Sequence, residues 1–485
     1  MEILFVVTLC IIMLFTLISV QSYESFHGPT ELIYHDELKA LKGYTLFTPQ
    51  RGEGTYLIDM GGEVVHTWKR LQNPKLLENG NVIGIVGQGP TDGKLQELDW
   101  EGNIVWQFED TREEYSLHHD YARIFNKKLG AETTMFISNK ALSHEEVIAA
   151  GCDPGLKEDY SGSQMDTIVE VDMDGNIIWE WRFIDHAVQD IDPSKANYAV
   201  VAENPGKIDL NWGPAMQRDW LHCNSMDYNR ELDQCVINSV YGEFFVVDHG
   251  ATFVAGDPAA SIALAEGPDG DFVYRFGDPA KYKQGDPPQY SKDWTRVSYG
   301  DRQMGGTHDI QWIKPGLPGE GRFLIFDNGG MSYGLTQSRI LEIDPYDNDN
   351  PGEYLNPPEA GYAWTDPDFR DTHKYPLKIS NQIKWIFESK STQSFFSHYI
   401  SGCQRLSNGN TLACSGAWGH FFEVTGEGEV VWEYINPVTA DGIVTVLKDG
   451  NMSYNSVFRC YRYEPDYPGL AGKGLTPGGV ITDIG

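Results

Sequence analysis

One pattern of turn, apolar and aromatic positions recurs along the chain. A turn residue is followed by Gly three positions on, apolar residues at five and six, and aromatics at seven and nine. Copies begin at Asp99 (Gly102, Ile104, Val105, Trp106, Phe108) and Asp172 (Gly175, Ile177, Ile178, Trp179, Trp181). Others begin at Gly267 (Gly270, Phe272, Val273, Tyr274, Phe276) and Thr425 (Gly428, Val430, Val431, Trp432, Tyr434). A variant at Asp59 carries His66 and Trp68, and a degenerate copy ends in Trp385 and Phe387. Short apolar-x-Asp strands precede these turns, as in Leu57-Ile58-Asp59, Val171-Asp172 and Ile343-Asp344.

Period-two alternation between turn signals predicts strands. The stretch from Ser401 to Tyr434 shows a whole unit, with strands over 401–406, 411–414, 420–425 and 430–434 and an Asn408-Gly409 turn between the first two. That is a four-stranded antiparallel meander, the size of one propeller blade. Six copies predict an all-β chain folded as a six-bladed β-propeller. A two-sheet sandwich leaves six copies of one motif unexplained. Insertions over 249–266 and 345–379 interrupt two blades, and residues 143–150 form the best short helix candidate. Residues 442–447 and 451–458 are expected to complete the ring, with the Gly-rich tail, 469–485, loose.

Charge narrows the partners. Lys+Arg 37 against Asp+Glu 70 leaves −33, which argues against nucleic acid and anionic lipid surfaces. An anion must therefore meet a local cluster of Arg and His, because the general field is screened beyond about 8 Å. An apolar run from Ile3 to Val20, followed by Gln21 and Ser22, reads as a signal peptide over 1–22 or an uncleaved N-terminal anchor. Export to the periplasm or outside the cell is the expectation, with the propeller filling 23–468. Cys152, Cys223, Cys235, Cys403, Cys414 and Cys460 then permit disulfides, with Cys403/Cys414 and Cys223/Cys235 flanking predicted hairpins; buried free thiols are the equal alternative. Neither a P-loop nor a GxGxxG opening a helix is present, and no Cys/His spacing suggests zinc, so no cofactor is expected.

Aligning the blades exposes a candidate site. Innermost strands begin at His119, His222, His308 and Ser401; third strands are counted from Thr167, Glu243, Arg339 and His420. In a meander both starts lie at one end of the blade, so His119, His222, His308, Arg339 and His420 are expected to gather at one channel mouth. A single such His is more often a hydrogen-bonding strut, and His186 and His249 are read as blade braces. The corner His118-His119-Asp120 resembles a metal site, but the other carboxylates miss ligand spacing, and no metal is expected.

Several long segments are similar to the bacterial arylsulfotransferase family. They are HHDYARI at His118, DHAVQDIDPSKANY at Asp185, DWLHCNSMDYNRELDQ at Asp219 and GTHDIQWIKPGLPGEGRFLIFDNGG at Gly305. SRILEID at Ser338 and SGCQRLSNGNTL with GHFFEV from Ser401 complete a set spanning 40–465 in family order. The resemblance implies an exported six-bladed propeller that moves a sulfuryl group from an aryl sulfate to a phenol, without a nucleotide donor, through a sulfated histidine. It implies His222, His308 and Arg339 as site residues and His420 as the nucleophile, with His398 second and His119 a further candidate. Relatives of this shorter kind often carry arginine at the His420 position; here histidine stands. A neutral imidazole suits the attack, and two displacements through it give ping-pong kinetics. Arg339 would hold the sulfuryl oxygens, and His222 and His308 would exchange protons with the phenols; Trp220, Trp418 and Tyr333 are candidates to stack on the ring, with blade packing the equal alternative for each. The competing classes are an exported propeller that binds sulfated or carbohydrate ligands without catalysis, and a quinone-dependent propeller dehydrogenase, whose usual eight Trp-marked blades do not occur here.

Overall fold

The structure is a computed structural model that describes residues 28–87, 93–212, 219–290, 296–298, 300–329, 337–346, 351–355, 379–389, 394–447 and 455–484. Six antiparallel sheets, each built on four strands A to D from the channel outward, form a six-bladed β-propeller. Blade 1 is closed from both ends of the chain: Tyr44–Pro49, Gly54–Ile58 and Val64–Lys69 receive Val457–Tyr463 as the innermost strand. Blade 2 comprises Gln72–Leu76, Val82–Val86, Lys94–Leu98 and Ile104–Phe108. Blade 3 comprises Tyr115–Asn126, Ala131–Leu142, Ser163–Val171 and Ile177–Arg182. Blade 4 comprises Cys223–Asn229, Gln234–Ser239, Glu243–Asp248 and Tyr274–Phe276, and blade 5 His308–Trp312, Phe323–Asp327, Arg339–Ile343 and Ile383–Phe387. Blade 6 comprises Gly402–Arg405, Thr411–Ser415, His420–Val424 and Val430–Ile435, with Glu31–His35 added at its outer edge as a fifth strand.

The recurring motif is the fastener between blades. Its turn Asp accepts from the backbone it reverses: Asp59 from Gly61 and Glu63, Asp172 from Asp174 and Asn176. The Gly at position three takes a left-handed φ of 83° to 85° at Gly62, Gly102, Gly175 and Gly428, which a side chain would disfavour. The aromatics then reach the neighbouring blade. Trp68 Nε1 donates to Asp99 O (3.1 Å), Trp106 to Met173 O (2.9 Å) and Trp181 to Gly270 O (2.8 Å). Trp385 donates to Gly426 O (2.9 Å), and Trp432 closes the circle on Met60 O (3.0 Å). Between blades 4 and 5, Tyr274 Oη meets Gln382 Oε1 at 3.4 Å. Burying an indole while satisfying its N–H explains why aromatics recur there.

Two expectations about the C-terminal region are corrected. Ring closure falls to Val457–Tyr463, which meets the expected stretch 451–458 at Val457 and Phe458; its side chains are mostly buried and its Cys460 pairs with Phe47, while residues 451–454 lie outside the described residues. Gly442–Ile443 is exposed and pairs only with Val438–Thr439, while Val446–Leu447 pairs with Gly28–Pro29. Nor is the tail loose: Ile481 is fully buried between blades 6 and 1, and Thr482 bonds Glu31 through both its N and Oγ1. The expected short helix is present as His144–Ala149, with Ser143 and Glu146 in a reciprocal capping box. The insertion after the C strand of blade 4 adds helices His249–Thr252 and Pro258–Ala265, capped by Asp248 and Asp257.

Candidate active site

Blades open their A strands with a backbone distortion. Asn73, His119, His222, Asp309 and Ser401 all take positive φ (49°, 57°, 45°, 57° and 111°). Left-handed φ on such residues costs on the order of 1–2 kcal/mol each. In blades 2 to 5 the pairing register slips beside this point, as between Leu117 and Tyr121 or His308 and Gln311. Bulges of this kind re-aim side chains and cluster near functional sites.

Three histidines meet at this mouth. The rings of His119 and His222 pack edge to face at 4.8 Å. His222 Nδ1 lies 2.5 Å from Asp219 Oδ2. Burial disfavours its charge, but the Asp219 hydrogen bond and carboxylate, helped by Asp166, carry its pKa above the ordinary value. His308 Nδ1 faces two acceptors, Asn328 Oδ1 at 2.8 Å and Gly306 O at 3.1 Å, so it carries the hydrogen and Nε2 keeps the lone pair. Burial, with Arg459 and His222 nearby, pushes His308 down to about 3 despite the Asn328 bond. His119 is driven well below its usual range by burial and by His118, His222, His308 and Arg459. Its Nδ1 is 2.6 Å from His118 Nδ1, and His118 Nε2 sits 3.0 Å from Asp166 Oδ1, off the line of a good hydrogen bond. One imidazole whose charge is favoured by its carboxylate thus stands beside two whose charge is disfavoured.

Arg459, from the closing strand, seals the channel beneath them. Nη1 donates to Asp120 Oδ2 (2.7 Å), Nη2 to Asn224 O (2.7 Å), and Nε lies 3.3 Å from Asp309. Asp120 also binds Lys75 (2.9 Å) and the Met226 N–H (3.0 Å). Asp309 accepts from Cys403 N (2.9 Å) and Tyr461 Oη (3.1 Å). Asp120 therefore faces cations and backbone donors, and among the described residues no three His, Cys, Asp or Glu gather as metal ligands.

The third-strand starts do not join this cluster. Strands lie ~4.8 Å apart, so a C strand stands roughly 10 Å outside its A strand. There, side chains brace their own blades: Glu243 pairs with Arg275 at 2.8 Å, and His420 Nε2 with Glu433 at 2.9 Å. Arg339 is buried, its guanidinium bonded to Asp327 and to Gln303 O. Asp327 also accepts from the Gly305 N–H (2.9 Å), three residues before His308. The loop into blade 6 is closer: Asn328, which fixes His308, also donates to Ser397 O and Ile400 O (2.7 Å each), on either side of exposed His398. His398 packs beside Tyr399 and Trp418, at 4.7 and 5.6 Å between ring centroids. Trp418 Nε1 is tied to Phe396 O at 2.6 Å. Trp220 is a core residue between blades 3 and 4 and no rim platform, and Tyr333 lies outside the described residues. His186 and His249 are braces, as expected, on Asp271 and Ala265 O and on Glu170 and Asp233. All six cysteines named above are buried free thiols; the predicted pairs miss register, Cys414 facing Gly402 and Cys235 facing Tyr228.

Asp219, Asn328 and Arg459 were not anticipated from the sequence. Asp219 had a signal, three residues before His222 in DWLH; Arg459 had none, because the expected closing stretch, 451–458, stops one residue short of it.

Residues 30–248 match the family model described as Arylsulfotransferase (ASST). No curated protein sequence matches the chain. Among solved structures, a protein of unknown function from Bacteroides caccae is similar at 9% identity and TM-score 0.37, covering 87% of this chain and 99% of that one. The Cps50 (Swd1) β-propeller domain of Myceliophteria thermophila is similar at 9% and 0.34, covering 85% and 90%. A streptogramin B lyase is similar at 9% and 0.33, covering 86% and 85%.

Proposed function

We propose that this chain, a member of the arylsulfotransferase family by its match over residues 30–248, carries a sulfuryl group from an aryl sulfate to a phenol through a histidine of the channel mouth. The observation that supports this most is the unlike pair at that mouth: His222 kept cationic by Asp219, and His308 kept neutral with one nitrogen fixed as the lone-pair nitrogen. In the first displacement His308 Nε2 attacks sulfur, the bond from sulfur to the aryl oxygen breaks, and His222 gives its Nε2 proton to the departing phenolate. In the second, the acceptor phenol gives its proton to His222 as its oxygen attacks sulfur, and His308 recovers its lone pair. Proton transfer of this kind contributes typically ~10²–10⁴-fold. His308 takes the nucleophile's place in this reading because His420 is engaged with Glu433 outside the mouth.

The test is turnover of 4-nitrophenyl sulfate with a phenol acceptor, combined with mapping of the sulfated peptide. His308→Ala is expected to abolish both turnover and the sulfopeptide, while His420→Ala retains them. Sulfate on a peptide holding His398 or His420, with His308→Ala still labelled, would overturn the assignment. No turnover of any aryl sulfate, with sulfate esters still bound, would favour a binding propeller.

A further inference from the structure

We infer that Asp219 is a positioning residue of this site: its carboxylate fixes the orientation and charge of His222, and so sets how far the reaction tolerates a poor leaving group. The inference rests on the sulfuryl-transfer reading and extends it to a residue that touches neither sulfur nor phenol.

Geometry supplies the warrant. Asp219 lies in the segment that enters blade 4, three residues before His222, whose own φ of 45° turns the imidazole toward the mouth. The short contact from Nδ1 to Asp219 Oδ2, at 2.5 Å, leaves Nε2–H as the only free donor of the ring. Every other group around His222 is less able to hold its charge. From blade 3, His119 packs against it as a neutral ring, with His118 behind it, and Asp166 acts from further off while accepting the Cys223 N–H at 3.0 Å. From blade 5 comes neutral His308, and from the closing strand Arg459, whose charge opposes a second cation at the cluster. Burial also opposes it. Remove the Asp219 charge and the balance tips to neutral imidazole, which has no second proton to deliver. A neutral ring held by an amide can also present the wrong nitrogen to the mouth, the fault that makes an Asp-to-Asn change costly in other histidine-carboxylate pairs.

The leaving group discriminates this role from a structural one. 4-Nitrophenolate is stable as an anion near neutral pH and departs without a proton; phenolate, with a pKa of about 10 by analogy with tyrosine, needs one. For Asp219→Asn the rate with phenyl sulfate is expected to fall ~10²-fold or more, and that with 4-nitrophenyl sulfate by less than ~5-fold. Imidazole NMR reads the same change without catalysis: the His222 titration, above the ordinary histidine value in the wild type, should move below it in Asp219→Asn. Asp219→Glu, which keeps the charge, should restore part of the phenyl sulfate rate. Equal losses on the two substrates, or an unmoved His222 titration, would overturn the role of Asp219 and leave sulfuryl transfer standing. Wild-type protein inert toward both esters would remove the transfer reading, and the role with it.

Discussion

Replacing Arg459 by Met tests how the ring is held shut. The side chain is 1% exposed, and so are Asp120 and Asp309, the carboxylates it contacts. Because it projects from Val457–Tyr463, this one guanidinium ties the C-terminal closing strand to blades 3, 4 and 5 at once. Methionine keeps the length of the stem and deletes the charge. Asp120 then retains Lys75, but Asp309 is left with neutral donors. Breaking a buried pair from one side costs about 3–5 kcal/mol. A second route gives a similar scale. Burial pushes the Asp120 carboxyl up, yet Arg459 and Lys75 hold it at about 2, against a reference of 3.8. At about 1.4 kcal/mol per tenfold change, that displacement is worth roughly 2.5 kcal/mol, shared between the two cations. A depressed carboxylate stabilises the fold above its unfolded pKa, and the contribution is lost as pH falls through the folded value. The deficit of Arg459→Met is therefore expected to be full at pH 7 and to shrink steadily toward pH 3. Urea unfolding followed by tryptophan fluorescence at pH 7, 5 and 3 measures it. A deficit under about 1 kcal/mol at pH 7, or one that does not change with pH, would refute the argument. Adding Asp309→Asn to Arg459→Met should recover part of the loss, since the carboxylate left without a cation is then gone.

Three other outcomes follow from the same contacts. The rate on phenyl sulfate should fall on the alkaline side as His222, raised above the usual value by Asp219, loses its proton, while His308, depressed to about 3, imposes no acid limb above pH 4; a pH–rate profile with an acid limb near 6.5 would contradict this. His249→Gln should cost about 3–5 kcal/mol near neutrality by leaving Glu170 and Asp233 uncompensated; because burial is outweighed there and the imidazole is raised to about 9, its contribution is complete below pH 6.5 and disappears as pH rises through 9, which urea melts at pH 6.5 and 10 would show. Trp181→Phe should cost about 1–3 kcal/mol, because Gly270 O between blades 3 and 4 loses its indole donor; thermal melts unchanged within ~1 °C would show that the latch contributes nothing.

The ring was legible because its fasteners are local. Asp59, Asp99 and Asp172 cap their own turns, and the aromatic that grips the next blade follows seven or nine residues later, so each inter-blade bond leaves a short-range trace. Closure left no such trace. The strand Val457–Tyr463 carries no turn-and-aromatic copy of its own, because it supplies only the A position of a blade whose B to D strands stand some four hundred residues earlier. With the expected closing stretch ending at Phe458, Arg459 had no place in the site, and residues 442–447 were given a role that their mostly exposed side chains cannot fill.

The histidines show why chain direction alone under-determines a propeller site. Direction correctly puts the starts of A and C strands at one end, but a mouth is defined by radius as well as height. His119 sits at the bulge of its A strand, His222 just before one and His308 at the start of one, and the three meet; Glu243, Arg339 and His420 begin C strands, two strands further out. At that radius a charged group is walled by its own blade, and a buried charge without a partner is expensive, so each one found here has acquired one: Arg275, Asp327 and Glu433. The innermost histidines escape that pairing differently. Burial and neighbouring charge disfavour the charged forms of His308 and His119, whereas Asp219, from outside the strand and helped by Asp166, favours that of His222. Reactive imidazoles in such a ring should therefore be sought at or beside the residue of each innermost strand that takes a left-handed φ, with a carboxylate or amide supplied by the preceding loop or the neighbouring strand.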